Sequence, residues 1–237
     1  MSEADYRMQT IPINNPELIE ILDDYRKAGA LDGFEKYMHL TCSDVSDKKD
    51  WFTGEEYLKE IIAQGERHEG FPDAMYGYEF RVNTKLHKFF KNDNAKSSDE
   101  ARFRSEFMKL LTETNTKMIN FMGCRNNALS AAYPKDGFIA WHNNANAAAW
   151  NMIFTYSETG DGCFKYWDIE KGEIVVMQDV PGWQLKAGYF GSYGEEDKIF
   201  YHAAETNCWR QTVSFCFDTS PVAQLFREEI IDEIMSE

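Results

Sequence analysis

An α+β fold, helices packed against one β-sandwich, is what three features of this sequence predict. Capped apolar stripes at helical spacing fill the first half, short apolar and aromatic runs alternate with glycine and proline turns after residue 128, and one more capped helix closes the chain. The 237 residues suit a single domain: 1–127 a mainly helical supporting region, 128–218 a strand-rich core, 219–237 a C-terminal helix.

The helices come first. Asn15-Pro16 supplies a cap and a proline at the first helical position, and Leu18, Ile21, Leu22 and Tyr25 follow at helical spacing until Gly29. Thr53 with Glu56 reads as a capping box ahead of Tyr57, Leu58, Ile61 and Ile62, ended by Gly65. Ser97 with Glu100 opens the longest periodic segment, Phe103, Phe107, Leu110, Leu111, Met118, Phe121 and Met122, closed by Gly123. Strands are then predicted at 129–133, 138–141, 152–156, 163–167, 174–177, 183–190, 199–201 and 212–217, with Pro134, Gly137, Gly160, Gly172, Pro181 and Gly191 among the turn residues between them. Ser220-Pro221 starts the last helix through Leu225, Phe226, Ile230 and Ile234.

Composition excludes several roles. With 40 acidic against 25 basic residues the net charge is −15, so a broad nucleic-acid surface would work against the protein's own field, and a cationic or neutral partner is easier to attract. The one basic cluster, Lys85, Lys88, Lys91 and Lys96 around Phe89 and Phe90, reads as a solvated loop flanking two buried rings. No apolar run approaches the ~20 residues that span a bilayer, and MSEADYRMQT lacks a basic start and an apolar stretch, so the expectation is a soluble cytoplasmic protein, in the host cytoplasm if viral. Cys42, Cys124, Cys163, Cys208 and Cys216 include no C-x-x-C pair and read as reduced thiols.

His39, His68 and His87 lack a partner His or Cys at ligand spacing and read as surface or satisfied core residues. His142, in YPKDGFIAWHNNAN, and His202, in KIFYHAAETNCWRQTVSF, each follow a predicted strand, and antiparallel strands of one sandwich can bring them together. Two imidazoles with the remaining metal positions open suit iron that must admit a chelating substrate and O2. Downstream, the strand period of two puts Arg210, Thr212 and Ser214 on one face. A guanidinium pointing into a sandwich interior needs an anionic partner, and a ligand carboxylate would satisfy it.

These residues together resemble the iron(II)- and 2-oxoglutarate-dependent dioxygenases of the prolyl-4-hydroxylase-like branch, in the compact form often encoded by bacteriophages. YPKDGFIAWH matches the strand and turn leading to the first metal His, MIFTYS places Tyr156 near the co-substrate, and GDGCFKYW and PGWQLKAGYFG match later strands. The distal His followed by Arg-x-Thr matches His202, Arg210 and Thr212, and the likeness covers about residues 128 to 218. It implies a double-stranded β-helix, the cupin-like jelly roll, with Fe(II) at His142, Asn144 and His202. The co-substrate 2-oxoglutarate would chelate the iron, with its distal carboxylate on Arg210 and hydrogen bonds from Thr212 and Tyr156. The reaction implied consumes O2, releases succinate and carbon dioxide, and hydroxylates a substrate the sequence does not identify. On that reading Arg210 lies roughly 6–8 Å deeper than the metal, the reach of a chelating five-carbon diacid.

The family's first motif is His-x-Asp or His-x-Glu, whereas here Asn144 stands two residues past His142. Three readings stay open. Asn144 ligates through its amide oxygen, binding metal more weakly than a carboxylate. It leaves the position to water or halide, which in related enzymes permits halogenation. Or the metal site is degenerate and the jelly roll is a catalytically silent binding scaffold. Asp136 and Glu205 are alternative carboxylates that read more simply as solvated surface; Asn143, Asn146 and Asn151 read as polar contacts at a pocket mouth, the first two equally as turn residues. Trp141, Trp150, Trp167, Trp183 and Trp209 read as sandwich core.

Overall fold

The computed structural model describes residues 8–41, 43–80, 89–92, 94–124 and 127–237. In chain order its elements are β1 (Gln9–Ile11), α1 (Pro16–Gly29), α2 (Phe34–Tyr37), α3 (Lys49–Phe52), α4 (Glu55–Gln64), β2 (Met75–Tyr76), β3 (Tyr78–Glu79) and the long α5 (Ser98–Met122). There follow β4 (Leu129–Tyr133), β5 (Phe138–His142), β6 (Ala149–Ser157), β7 (Gly162–Asp168), β8 (Glu173–Gln178), β9 (Gly182–Phe190), β10 (His202–Thr206), β11 (Arg210–Phe217) and α6 (Pro221–Met235). All strand pairs among the described residues are antiparallel and form two sheets, one ordered β1-β9-β6-β11-β4-β3 and the other β2-β5-β10-β7-β8.

Local chemistry accounts for most helix starts. Asn15 accepts from the Leu18 amide at 3.0 Å, Ser220 from Ala223 at 3.2 Å, and at α5 the Ser97 hydroxyl accepts from Glu100 while Glu100 accepts from the Lys96 amide. The box expected at Thr53 does not form. Gly54 caps α4, and the Thr53 hydroxyl is drawn instead to Lys49 O and the Glu205 carboxylate, partners that a local motif cannot anticipate.

One strand expectation is corrected. Residues 199–201 are irregular, and the strand is His202–Thr206, so His202 opens a strand where His142 ends one. In an antiparallel pair the end of one strand lies beside the start of its neighbour, which is the arrangement that lets the two meet.

Three apolar layers hold the molecule together. Leu18, Tyr25, Phe107 and Met118 of α1 and α5 pack on Met152, Phe154, Val213 and Phe215, the outer face of the six-stranded sheet. Ile139, Ile153, Phe164, Phe190, Phe200 and Ala204 fill the space between the sheets. Tyr57, Leu58 and Ile61 of α4 cover Phe138, Ala140 and Trp141 on the outer face of the five-stranded sheet. The tryptophans expected in the sandwich core sit in the two outer layers: Trp150, Trp183 and Trp209 under the helices, Trp141 and Trp167 on the α4 side.

The last helix buries Ile230 and Ile234 but leaves Leu225 exposed. Cys42, Lys85, His87 and Lys88 lie outside the described residues; Phe89 and Phe90 are buried, and Lys91 donates to the Glu35 carbonyl at 3.0 Å. No helix among the described residues is long and apolar enough to cross a membrane.

Candidate functional site

A register slip aims the two imidazoles at each other. β5 and β10 pair His142 with His202 and Ile139 with Ala204, three residues on β5 against two on β10. Ile139 and Ala204 face the space between the sheets. Strict alternation from Ile139 would send Trp141 inward and His142 outward; the extra residue puts Trp141 in the α4 layer and turns His142 inward beside His202. The ring centroids stand 4.1 Å apart at an interplanar angle of 49°.

Each ring is held from behind. His142 Nδ1 lies 2.8 Å from the Ala140 carbonyl and His202 Nδ1 2.9 Å from that of Phe200. A carbonyl can only accept, so both rings carry the proton on Nδ1 and the lone pair on Nε2, the tautomer a metal takes. Burial pushes His142 down to about 4, against the opposing pull of the Ala140 carbonyl, and His202 falls well below the usual histidine value through burial and the neighbouring His142. Both are therefore neutral at pH 7, as ligand imidazoles must be. Phe190, at 4.5 Å between centroids, and Phe164 and Phe200, both at 5.7 Å, wall in His202.

Asn144 sits in the turn after β5 with φ 52°, a left-handed conformation that asparagine tolerates. Its amide donates to Gly70 O at 2.8 Å. Gly70 itself has φ +81°, and a Cβ there would meet Asn146 Oδ1 at 2.8 Å and Asn143 Oδ1 at 3.1 Å, so the loop carrying His68 is pressed against the turn that follows His142. Asn143 is buried, its oxygen accepting from the Ala145 amide at 2.9 Å and its nitrogen unpartnered. Asn151 donates to Ala149 O at 3.0 Å in its own strand and accepts from Cys216 Sγ of β11 at 2.9 Å. His68 departs from the expected surface or satisfied position: its side chain is buried, neither ring nitrogen has a hydrogen-bond partner, and a charge on it would be felt by His142.

Arg210, Thr212 and Ser214 share the face that looks across to the second sheet, opposite Tyr133, Ala131 and Leu129 of β4. Arg210 Nη1 donates to Thr212 Oγ1 at 2.9 Å, and Nη2 reaches Thr155 Oγ1 at 3.5 Å. The anion it needs is partly supplied by the chain: Nε donates to Asp179 Oδ2 at 2.9 Å, and Lys186 Nζ donates to the other Asp179 oxygen at 3.0 Å. Burial alone would raise Asp179, but Arg210 and Lys186 outweigh it and hold the carboxyl below its ordinary value. Asp179 lies outside the motifs that single out the other site residues, and Lys186 lies within PGWQLKAGYFG without being singled out there. The signal present is a lysine in mid-strand of WQLKAGYF, where an apolar residue is the norm.

Tyr156 does not join this group. It pairs across strands with Gln211 and Trp183, hence shares the helix-facing side of the sheet, where Arg26 of α1 lies over its ring at 5.3 Å. Thr155, one residue earlier, takes the inward place. Asp136 and Glu205 are engaged elsewhere, with Lys49 at 3.2 Å and Lys165 at 2.9 Å.

Among the described residues no three His, Cys, Asp or Glu side chains are grouped to hold a metal. What they do bring together is two imidazoles, each anchored through Nδ1.

No family model matches the chain, and no curated protein matches it. Solved structures similar to it include a prolyl-4-hydroxylase of Pseudomonas putida, TM-score 0.41 and 13% identity over 90% of this chain and 92% of that one. Another is a full-length Neurospora crassa protein in complex with alpha-KG, TM-score 0.35 and 13% identity over 90% of this chain and 75% of that one.

Proposed function

We propose that the protein is a mononuclear non-haem iron oxygenase that uses 2-oxoglutarate and O2 to hydroxylate a substrate, built on a jelly roll of the prolyl-4-hydroxylase-like branch. The observation that carries this reading is the His142–His202 pair, two buried neutral imidazoles facing each other at 4.1 Å with both Nδ1 atoms tied back. The strand order supports the jelly roll, since from β4 to β11 the chain passes back and forth between two sheets so that β5 pairs with β10 and β6 with β11.

On this reading His142 and His202 hold Fe(II) through Nε2, and Asn144 adds its amide oxygen. The bound metal supplies activation of O2 for oxidation. The protein's own part is positional. Arg210, Thr212 and Thr155 receive the distal carboxylate of 2-oxoglutarate, and Phe164, Phe190 and Phe200 keep water from the imidazoles. A cleft of about 230 Å³ opens beside this aromatic wall, lined by Tyr166, Trp167 and Phe200 and by three carboxylates, Asp168, Glu170 and Asp197, against one cation, Lys198. That lining favours a cationic or neutral substrate. The four described cysteines are free thiols, which suits a reducing cytoplasm.

A second reading, a catalytically silent jelly-roll binding module, is favoured by one observation: Arg210 already holds the chain's own Asp179. The two readings make opposite statements about metal. Anaerobic protein with Fe(II) and 2-oxoglutarate is expected to develop the weak visible charge-transfer band of the chelate, and Arg210→Ala to abolish it. Absence of the band at saturating co-substrate leaves the binding module as the function.

A further inference from the structure

The polar end of the sandwich interior holds more positive charge than it balances. Arg210 and Lys186 share the single carboxylate of Asp179, and the three side chains are 3%, 1% and 0% exposed. With all three ionised the group buries one more cation than anion, and burial together with the Arg210 charge accordingly holds the Lys186 ammonium below its ordinary value, against the pull of Asp179. Its remaining partners are neutral: Lys186 also donates to Gln184 Oε1 at 2.8 Å, and Arg210 to Thr212. Gln184 Nε2 is buried with no partner, a further donor without an acceptor.

Lys186 supplies the donor to Asp179 Oδ1, but it brings more positive charge than a neutral Asp179–Arg210 pair requires. Without it, Asp179 and Arg210 form a neutral pair; with it, the site pays for desolvating an ammonium group that no second anion offsets. A surplus buried cation beside an orphaned donor is complementary to one carboxylate.

We propose that Lys186 is a specificity-determining residue that, together with Arg210, receives a carboxylate of the small-molecule ligand, while Asp179 serves as the built-in counter-ion that limits the site to one further negative charge. This rests on the reading of Arg210 as the anchor of the co-substrate. The alternation of β9 places Lys186 and Gln184 on the inward face, opposite Ile153 and Thr155 of β6, so both lie on the same face as Thr212.

The test uses the metal-free full-length protein and glutarate, a dicarboxylate without the oxo group, so that metal chelation does not enter. Affinity is read by calorimetry and stability by thermal melting. Lys186→Met is expected to weaken glutarate at least tenfold, beyond any fall in melting temperature from leaving Asp179 Oδ1 and Gln184 Oε1 without their donor; Lys186→Arg is expected to retain binding. A structural lysine would give the reverse, a lower melting temperature with unchanged affinity, and that result overturns the proposal. Loss of binding in Arg210→Met but not in Lys186→Met overturns the role of Lys186 and leaves the reading of the site intact. No glutarate binding by the wild type overturns both.

Discussion

On the proposed reading Asn144 stands where a carboxylate ligand would, and its left-handed φ of 52° is one that aspartate adopts as readily. Asn144→Asp therefore changes charge with little change in backbone. We expect it to tighten Fe(II) or Co(II) by about tenfold or more, about 1.4 kcal/mol, measured by competition with a chelator; equal or weaker binding would place Asn144 outside the metal's ligands. The buried imidazoles make a second expectation. His68, His142 and His202 all have pKa values lowered by burial from the unfolded 6.5, His142 to about 4. The unfolded chain then binds protons first as pH falls. The stability of the metal-free protein should be fully present above about 6.5, and lost progressively towards about 4, with His68→Gln flattening the slope. A melting temperature constant over that range would contradict burial of these rings as neutral groups.

Two elements meet at a single contact that ties helix punctuation to the site. The loop after α4 turns through three left-handed residues, Gly65, Glu69 and Gly70, and its Gly70 carbonyl receives the Asn144 amide. Gly70→Ala imposes both an unfavourable φ and a Cβ within 2.8 Å of Asn146 Oδ1. We expect it to cost about 1 kcal/mol or more of stability, and to weaken metal binding more than a substitution of similar cost placed in α5. Equal effects on metal would mean that the loop does not position the turn. The slip in β5 is the other device of this kind, since without it the β5 side chain facing His202 is a tryptophan.

The molecule as a body is acidic, with net charge −15, while its proposed co-substrate is a dianion. On the proposed reading, capture must overcome a repulsive field that the buried Lys186 and Arg210 offset only at close range. The association rate of 2-oxoglutarate, followed by stopped-flow quenching of tryptophan fluorescence, is therefore expected to rise with added salt as the Debye length shortens towards ~8 Å at 0.15 M ionic strength. A rate that falls with salt would show that a local positive approach, not the global charge, governs entry.

Periodicity and caps in the chain were enough to locate α1, α5, α6 and seven of the eight predicted strands, because these signals lie within a few residues of the structure they specify. The same alternation placed Arg210 and Thr212 on one face. What local pattern could not contain was anything set by contact across the fold. Thr53 chose Glu205 over its own helix, Tyr156 lost the inward position to Thr155, and the strand after residue 199 began at His202. The site shares that origin. His142 faces His202 through a one-residue slip between strands 60 positions apart, and Arg210 meets Asp179 and Lys186 only once the turns of the sandwich close. Amphipathic order is a property of neighbouring residues, whereas register and charge balance are properties of segments that touch only when the whole chain has folded.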